Sequence, residues 1–83
     1  MHIITRKRIR EAKNKYSDCA SALDAWYRIV SKNQFNNFSD LKHTFNYVDK
    51  VTDLYVFDIG GNKLRLIASI HFNRQRIYIY EIF

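Results

Sequence analysis

Lys63, Arg65 and His71 occupy alternate positions of one segment near the C-terminal end of the chain. There Leu64, Leu66, Ala68, Ile70 and Phe72 fall on one side, and Lys63, Arg65, Ile67, Ser69 and His71 on the other. Side chains of a strand point alternately to opposite faces, so such a segment packs one face and presents the other. Two cations beside a histidine, the side chain that titrates near neutrality, suit a phosphate-bearing polymer. Arg76, Tyr78 and Tyr80 extend the same face on the next segment, with Arg74 in the turn between. Tyrosine rings stack on unpaired bases, but they are also good strand formers. The plainer reading of the set is an exposed sheet face laced with charge.

The elements that must hold these residues follow from periodicity. Residues 2–4 suit a short strand. Thr5 is placed to cap a helix over Arg6 to Tyr16, whose apolar side is Ile9, Ala12 and Tyr16. Ser17 is placed to cap a second helix over Asp18 to Lys32, with Ala20, Leu23, Tyr27 and Val30 at helical spacing and Trp26 beside them. Asn33 to Asn37 reads as a loop, and Ser39 as the cap of a short helical turn through Leu41, Lys42 and Phe45. From Leu54 the period changes to two. Gly60, Gly61 and Asn62 tolerate positive φ and suit a tight hairpin turn. Asn73 to Gln75 reads as a second turn, before a last strand over Arg76 to Phe83. The expected class is α+β: N-terminal helices packed on an antiparallel β-sheet meander, as a single domain over residues 1–83.

The 83 residues carry 14 Lys and Arg against 8 Asp and Glu, a net charge of +6. That balance favours nucleic acid, an acidic protein or an anionic membrane surface as partner, against a merely solvated basic surface. The first helix is the most basic part. Lys7 and Arg10 there suit phosphate contact or partner docking, because no aromatic residues are interleaved for base stacking. Its apolar side is too weak for membrane insertion, and no run of eighteen apolar residues exists to span one. Cys19, the one cysteine, permits no intrachain disulfide and reads as a small helix residue. His2, His43 and His71 are far apart in sequence, and no ligand spacing points to a metal or other cofactor. Trp26, Phe45 and Phe57 read as core, and His43 as surface.

MHIITRKRIREA at the start, FSDLKHTF over 38–45 and YVFDIGGNKLRLIASIHFNRQRIYI over 55–79 resemble HigB-type toxins of bacterial toxin–antitoxin pairs. The resemblance runs along essentially the whole chain. It implies a RelE-like fold and a cytoplasmic endonuclease acting on mRNA on the ribosome. It also implies a helix-turn-helix antitoxin of the HigA type as partner, with operator DNA reached only through that antitoxin. Two departures stand out. Asp58 replaces the usual Asn, and the chain stops at Phe83 where members usually continue with a T-H-x-E-Y-D-like tail. That tail offers a further His and Tyr near the cleft. The alternative reading is therefore a catalytically impaired module that binds RNA or the antitoxin.

RNA is cut without metal when its 2′-OH attacks the adjacent phosphate, leaving a 2′,3′-cyclic phosphate and a 5′-OH. A protein must move two protons and stabilise the extra charge on phosphorus. Preorganised cations serve that second need, each worth about 2.7–4 kcal/mol. The expected catalytic set is Arg65 and Lys63 for charge, with Arg74 or Arg76 in support, and His71 for proton transfer. For His71 the alternative is a satisfied structural histidine. RNA contacts are expected from Arg76, Tyr78, Tyr80, Asn62, Lys7 and Arg10.

Overall fold

The computed structural model describes all 83 residues. The elements in chain order are β1 (His2–Ile3), α1 (Arg6–Lys15), α2 (Ala20–Lys32), α3 (Phe38–Thr44), β2 (Asp49–Val51), β3 (Leu54–Ile59), β4 (Leu64–His71) and β5 (Arg76–Ile82). Short 3₁₀ turns at Ser17–Cys19 and Phe72–Arg74 precede α2 and β5. The strands form one sheet in the order β1-β5-β4-β3-β2. Neighbours pair antiparallel from β2 to β5, while β1 returns parallel to β5. The expected α+β class and meander are therefore present, with a parallel edge strand added. β2 was not legible, since its three residues are all exposed and carry no alternation.

One face of the sheet is covered by the helices. β3 contributes Tyr55, Phe57 and Ile59 to the core, β4 contributes Leu64, Leu66 and Ala68, and β5 contributes Ile77 and Ile79. Ile9 and Ala12 of α1 and Leu23, Trp26 and Val30 of α2 close over them. Trp26 and Phe45 meet Phe57 edge-on, each with ring centroids 5.3 Å apart. Such T-shaped pairs favour one arrangement beyond simple area burial. Cys19 is buried in the first 3₁₀ turn rather than carried on a helix.

The helix ends depart from expectation. Thr5 makes no cap bond to α1. Its hydroxyl instead accepts from the Ile79 N–H (2.6 Å) and donates to the Ile79 carbonyl (3.2 Å). β1 ends at Ile3, so Thr5 takes over as the lateral partner of β5. Ser17 starts a 3₁₀ turn, and α2 begins at Ala20 with no side-chain cap. Ser39 lies inside α3, whose cap is Asn37: its side chain accepts from the Asp40 N–H (2.9 Å), and the Asp40 carboxylate accepts from the Asn36 N–H (3.0 Å). This reciprocal pairing satisfies donors that a helix N-terminus leaves free.

The β3–β4 connection is longer than a two-residue hairpin turn. Ile59 pairs with Leu64, so Gly60 to Lys63 form the loop. Gly60, Gly61 and Asn62 all have positive φ, of 64°, 63° and 72°. At Gly60 a Cβ would meet Cys19 Sγ at 3.4 Å, an ordinary contact, so it is the positive φ that favours glycine there.

The β4–β5 turn is tied to the chain after α2 by one side chain. Gln75 adopts φ 53°. Its amide accepts from the Phe35 N–H (3.2 Å) and donates to the carbonyls of Phe35 (2.6 Å) and Phe72 (2.8 Å). Removing it leaves half-buried backbone groups without partners. Gln75→Ala is expected to cost about 2–3 kcal/mol in urea unfolding. A Gln75→Gly control removes the positive-φ strain, so a deficit that persists in it belongs to the hydrogen bonds. An unchanged urea midpoint in both variants would show that this clamp is not stabilising.

Candidate nucleic-acid interface

The sheet face opposite the helices is open. The alternation that buries Leu64, Leu66 and Ala68 turns Arg65, Ile67, Ser69 and His71 outward. Cross-strand register brings partners beside them: Asp58 beside Arg65, Val56 beside Ile67, Tyr78 beside Ser69 and Arg76 beside His71. The middle of this face is half-buried Val56, Ile67 and Ser69, and the polar groups gather at its two ends.

At one end Arg65 Nε lies 3.7 Å from Asp58 Oδ1. The Arg65 side chain is 62% exposed and the Asp58 side chain 23%. A carboxylate engaged at Nε orients the guanidinium while leaving its terminal amino groups for a phosphate. Arg65 also exchanges both backbone hydrogen bonds with Phe83, at 2.8 and 3.0 Å.

At the other end the register forms a row across three strands. Arg76 of β5 is flanked by His71 of β4 and by His2 of β1. Neighbouring strands lie about 4.8 Å apart, so the two histidine backbones are about 10 Å apart with the arginine between them. All three residues are exposed. The Tyr78 ring stands edge-on to the His71 ring, with centroids 5.3 Å apart. His2 carried no signal of its own in the sequence. Only the parallel return of β1 brings it beside Arg76, and the strand-like start at residue 2 was the one available hint.

The expected catalytic residues therefore do not form one cluster. Arg65 and His71 are six residues apart on β4, about 20 Å along a strand. Lys63 precedes the strand, in the loop, and its ammonium lies 4.0 Å from Asp18 of the 3₁₀ turn that leads into α2. It is thus drawn toward the helical side. Asn62 is at the tip of the same loop. Arg74 is exposed in the turn next to His71, close to the histidine end. Tyr80 sits at a β-bulge: Ile67 pairs with Glu81 and Ala68 with Ile79, so Tyr80 has no partner, and it is 53% exposed. The bulge resets the alternation so that Ile82 pairs with core Leu66. Lys7 and Arg10 lie on α1, which packs on the covered side, and so belong to the opposite surface of the molecule. No three His, Cys, Asp or Glu side chains converge. No helix is long and apolar enough to cross a membrane.

Comparison with known proteins agrees with this architecture. Residues 19–83 match the profile of HigB_toxin, described as the RelE-like toxic component of a toxin–antitoxin system. The chain is 36% identical over 85 aligned positions to the mRNA interferase toxin HigB of Escherichia coli strain K12, an alignment covering 99% of this chain and 82% of that protein. The mRNA interferases HigB of Escherichia coli O157:H7 and of Shigella flexneri match with the same identity and coverage. An open, cation-bearing sheet face backed by N-terminal helices, together with identity at this level along nearly the whole chain, shows that the protein belongs to the HigB family of RelE-like toxins and so has an antitoxin for a partner.

Proposed function

We propose that this chain is an endoribonuclease that cuts mRNA on translating ribosomes in the cytoplasm, using its own side chains for a metal-free transesterification, and that a HigA-type helix-turn-helix antitoxin silences it. The names of its relatives support the activity, and the net charge of +6 supports a polyanionic substrate. The observation that carries the mechanism is the His71–Arg76–His2 row. Proton transfer needs a group within hydrogen-bond reach of the reacting oxygen. On the open face the two histidines are the side chains of the type best suited to that work.

In this reading the scissile phosphate lies over Arg76, with Arg74 at its side. One imidazole takes the 2′-OH proton as the O2′–P bond forms. The other donates a proton to the 5′ oxygen as the P–O5′ bond breaks. Arg76 and Arg74 balance the charge that builds on the phosphoryl oxygens. The Tyr78 ring fixes the orientation of His71. Arg65, held by Asp58 at the far end, grips another part of the same strand. Lys63, Asn62 and Tyr80 flank that end, while Lys7 and Arg10 face away and suit a ribosomal or antitoxin surface.

Primer extension on a reporter mRNA in a reconstituted translation system tests this reading. His71→Ala and Arg76→Ala are each expected to lower cutting about 10²–10³-fold with the fold intact. The cut ends carry 2′,3′-cyclic phosphate, and the cuts disappear when ribosomes are withheld. If Arg65→Ala at saturating RNA abolished cutting while His71→Ala did not, the chemistry would belong to the Asp58–Arg65 end.

The distance between the two ends makes a separate prediction for RNA binding. Arg65→Ala is expected to reduce the slope of log K against log salt by about 1, in line with the loss of one phosphate contact. Its effect on affinity is expected to add to that of Arg76→Ala within about 0.5 kcal/mol, as for independent sites. Strong coupling between them in a double-mutant cycle would show that both bind the same phosphate.

A further inference from the structure

A cavity of about 250 Å³ lies at the Arg65 end, between the α3–β2 connection and the edge of β3. It is lined by residues 44–48 together with Phe57 and Asp58. Of its lining, the mechanism above uses only Asp58, as the partner of Arg65. Its construction is specific. β2 pairs no further along β3 than Val56, so Phe57 to Ile59 have no strand neighbour on that side. The connection that passes there is held in place: Val48 is buried, its N–H donates to the Phe45 carbonyl, and the Lys42 ammonium donates to the Val48 carbonyl at 2.8 Å. Against this fixed backbone Tyr47 is 76% exposed, more than any other large apolar or aromatic side chain. Folding gives no reason to project an aromatic ring from a short anchored loop into the rim of a cavity that also holds a carboxylate.

The lining has the features that recognise an unpaired base. These are an aromatic ring free to stack, a carboxylate acceptor in Asp58, and the free edge of β3 with its backbone donors and acceptors. Arg65 beside Asp58 supplies a phosphate contact within one nucleotide's reach. Stacking on an aromatic side chain is sequence-tolerant, whereas a carboxylate accepts from an amino group and repels a carbonyl. We infer that this cavity is a base-reading pocket of the RNA site, in which Tyr47 stacks on one nucleobase and Asp58 selects a base that carries an exocyclic amino group. The inference rests on the RNA reading of the open face and names what that face recognises.

Two measurements test it together. In the translation system, the cut sites of the wild-type chain are expected to share an amino-bearing base at one fixed position. Tyr47→Ala is expected to weaken that preference about tenfold, and Tyr47→Phe to keep it. Asp58→Asn is expected to shift it toward bases presenting a carbonyl, because an amide also donates. In NMR titrations of the free protein, AMP and CMP are expected to move the Tyr47 ring resonances at concentrations about tenfold lower than UMP. An unchanged cut-site pattern in Tyr47→Ala, with no Tyr47 shifts, would overturn the pocket and leave the endonuclease standing. Tyr47 shifts with AMP and CMP in a chain that makes no cuts would support the pocket and overturn the endonuclease. Tyr47 is exposed, so neither of its substitutions threatens the core.

Discussion

The register of β4 is the constraint on which everything else depends. It is the central strand, paired with β3 on one side and β5 on the other. Its inward residues Leu64, Leu66 and Ala68 are almost fully buried. A slip by one position would send them to solvent and draw Arg65 and Ser69 into the core. Exposing two leucines alone costs about 3–6 kcal/mol, a large part of the 5–15 kcal/mol typical of a folded domain. Burying an unpaired guanidinium would cost still more. The same preference that packs the core therefore aims Arg65 and His71 outward, so function on the open face comes with folding.

Around that sheet, several polar groups work as cross-links rather than as local caps. The Thr5 hydroxyl binds β5, the Gln75 amide joins the β4–β5 turn to the chain after α2, and Lys42 fixes the α3–β2 connection. The Met1 ammonium donates to the carbonyls of Val30 and Asn33 at the end of α2, and burial lowers its pKa below the ordinary value. The Thr5, Gln75 and Met1 bonds join segments distant in the chain, the Lys42 bond spans six residues, and all satisfy backbone groups that would otherwise lack partners. In a small domain with a modest core, such ties hold loops at fixed heights beside the open face.

Charge is arranged with less regard for stability. The first turn of α1 contains Arg6, Lys7 and Arg8 and no acid. Cations at the positive end of a helix dipole are unfavourable by a few tenths of a kcal/mol or more each. The helix tolerates them because Ile9 and Ala12 anchor it, and Lys13 reaches Asp24 of α2 at 2.7 Å. Arg6 gains a contact over the Tyr27 ring of α2, at 5.7 Å from its centroid, but Lys7 and Arg8 are exposed, and cations kept there against the local rule suit a polyanion or an acidic partner.

Periodicity by itself determined the helices, the β3, β4 and β5 strands, the buried face of β4 and the outward display of Arg65 and His71. These follow from the chain's local geometry, which repeats every 3.6 or 2 residues and needs no knowledge of neighbours. The first and last residues of helices were less legible, because Thr5, Ser17 and Ser39 each have a hydroxyl able to cap and only packing decides whether it does. The site was legible in its residue types but not in its grouping. Alternation assigns Arg65 and His71 to one face without measuring the distance between them, and it wrongly carries Lys63 past the end of the strand. Tertiary structure alone made His2 a neighbour of Arg76, left Tyr80 unpaired at a bulge, and joined the Tyr47 loop to Asp58. Each of these results from non-local pairing, a parallel return, a register shift and a sheet edge, and no local pattern in the chain encodes such contacts.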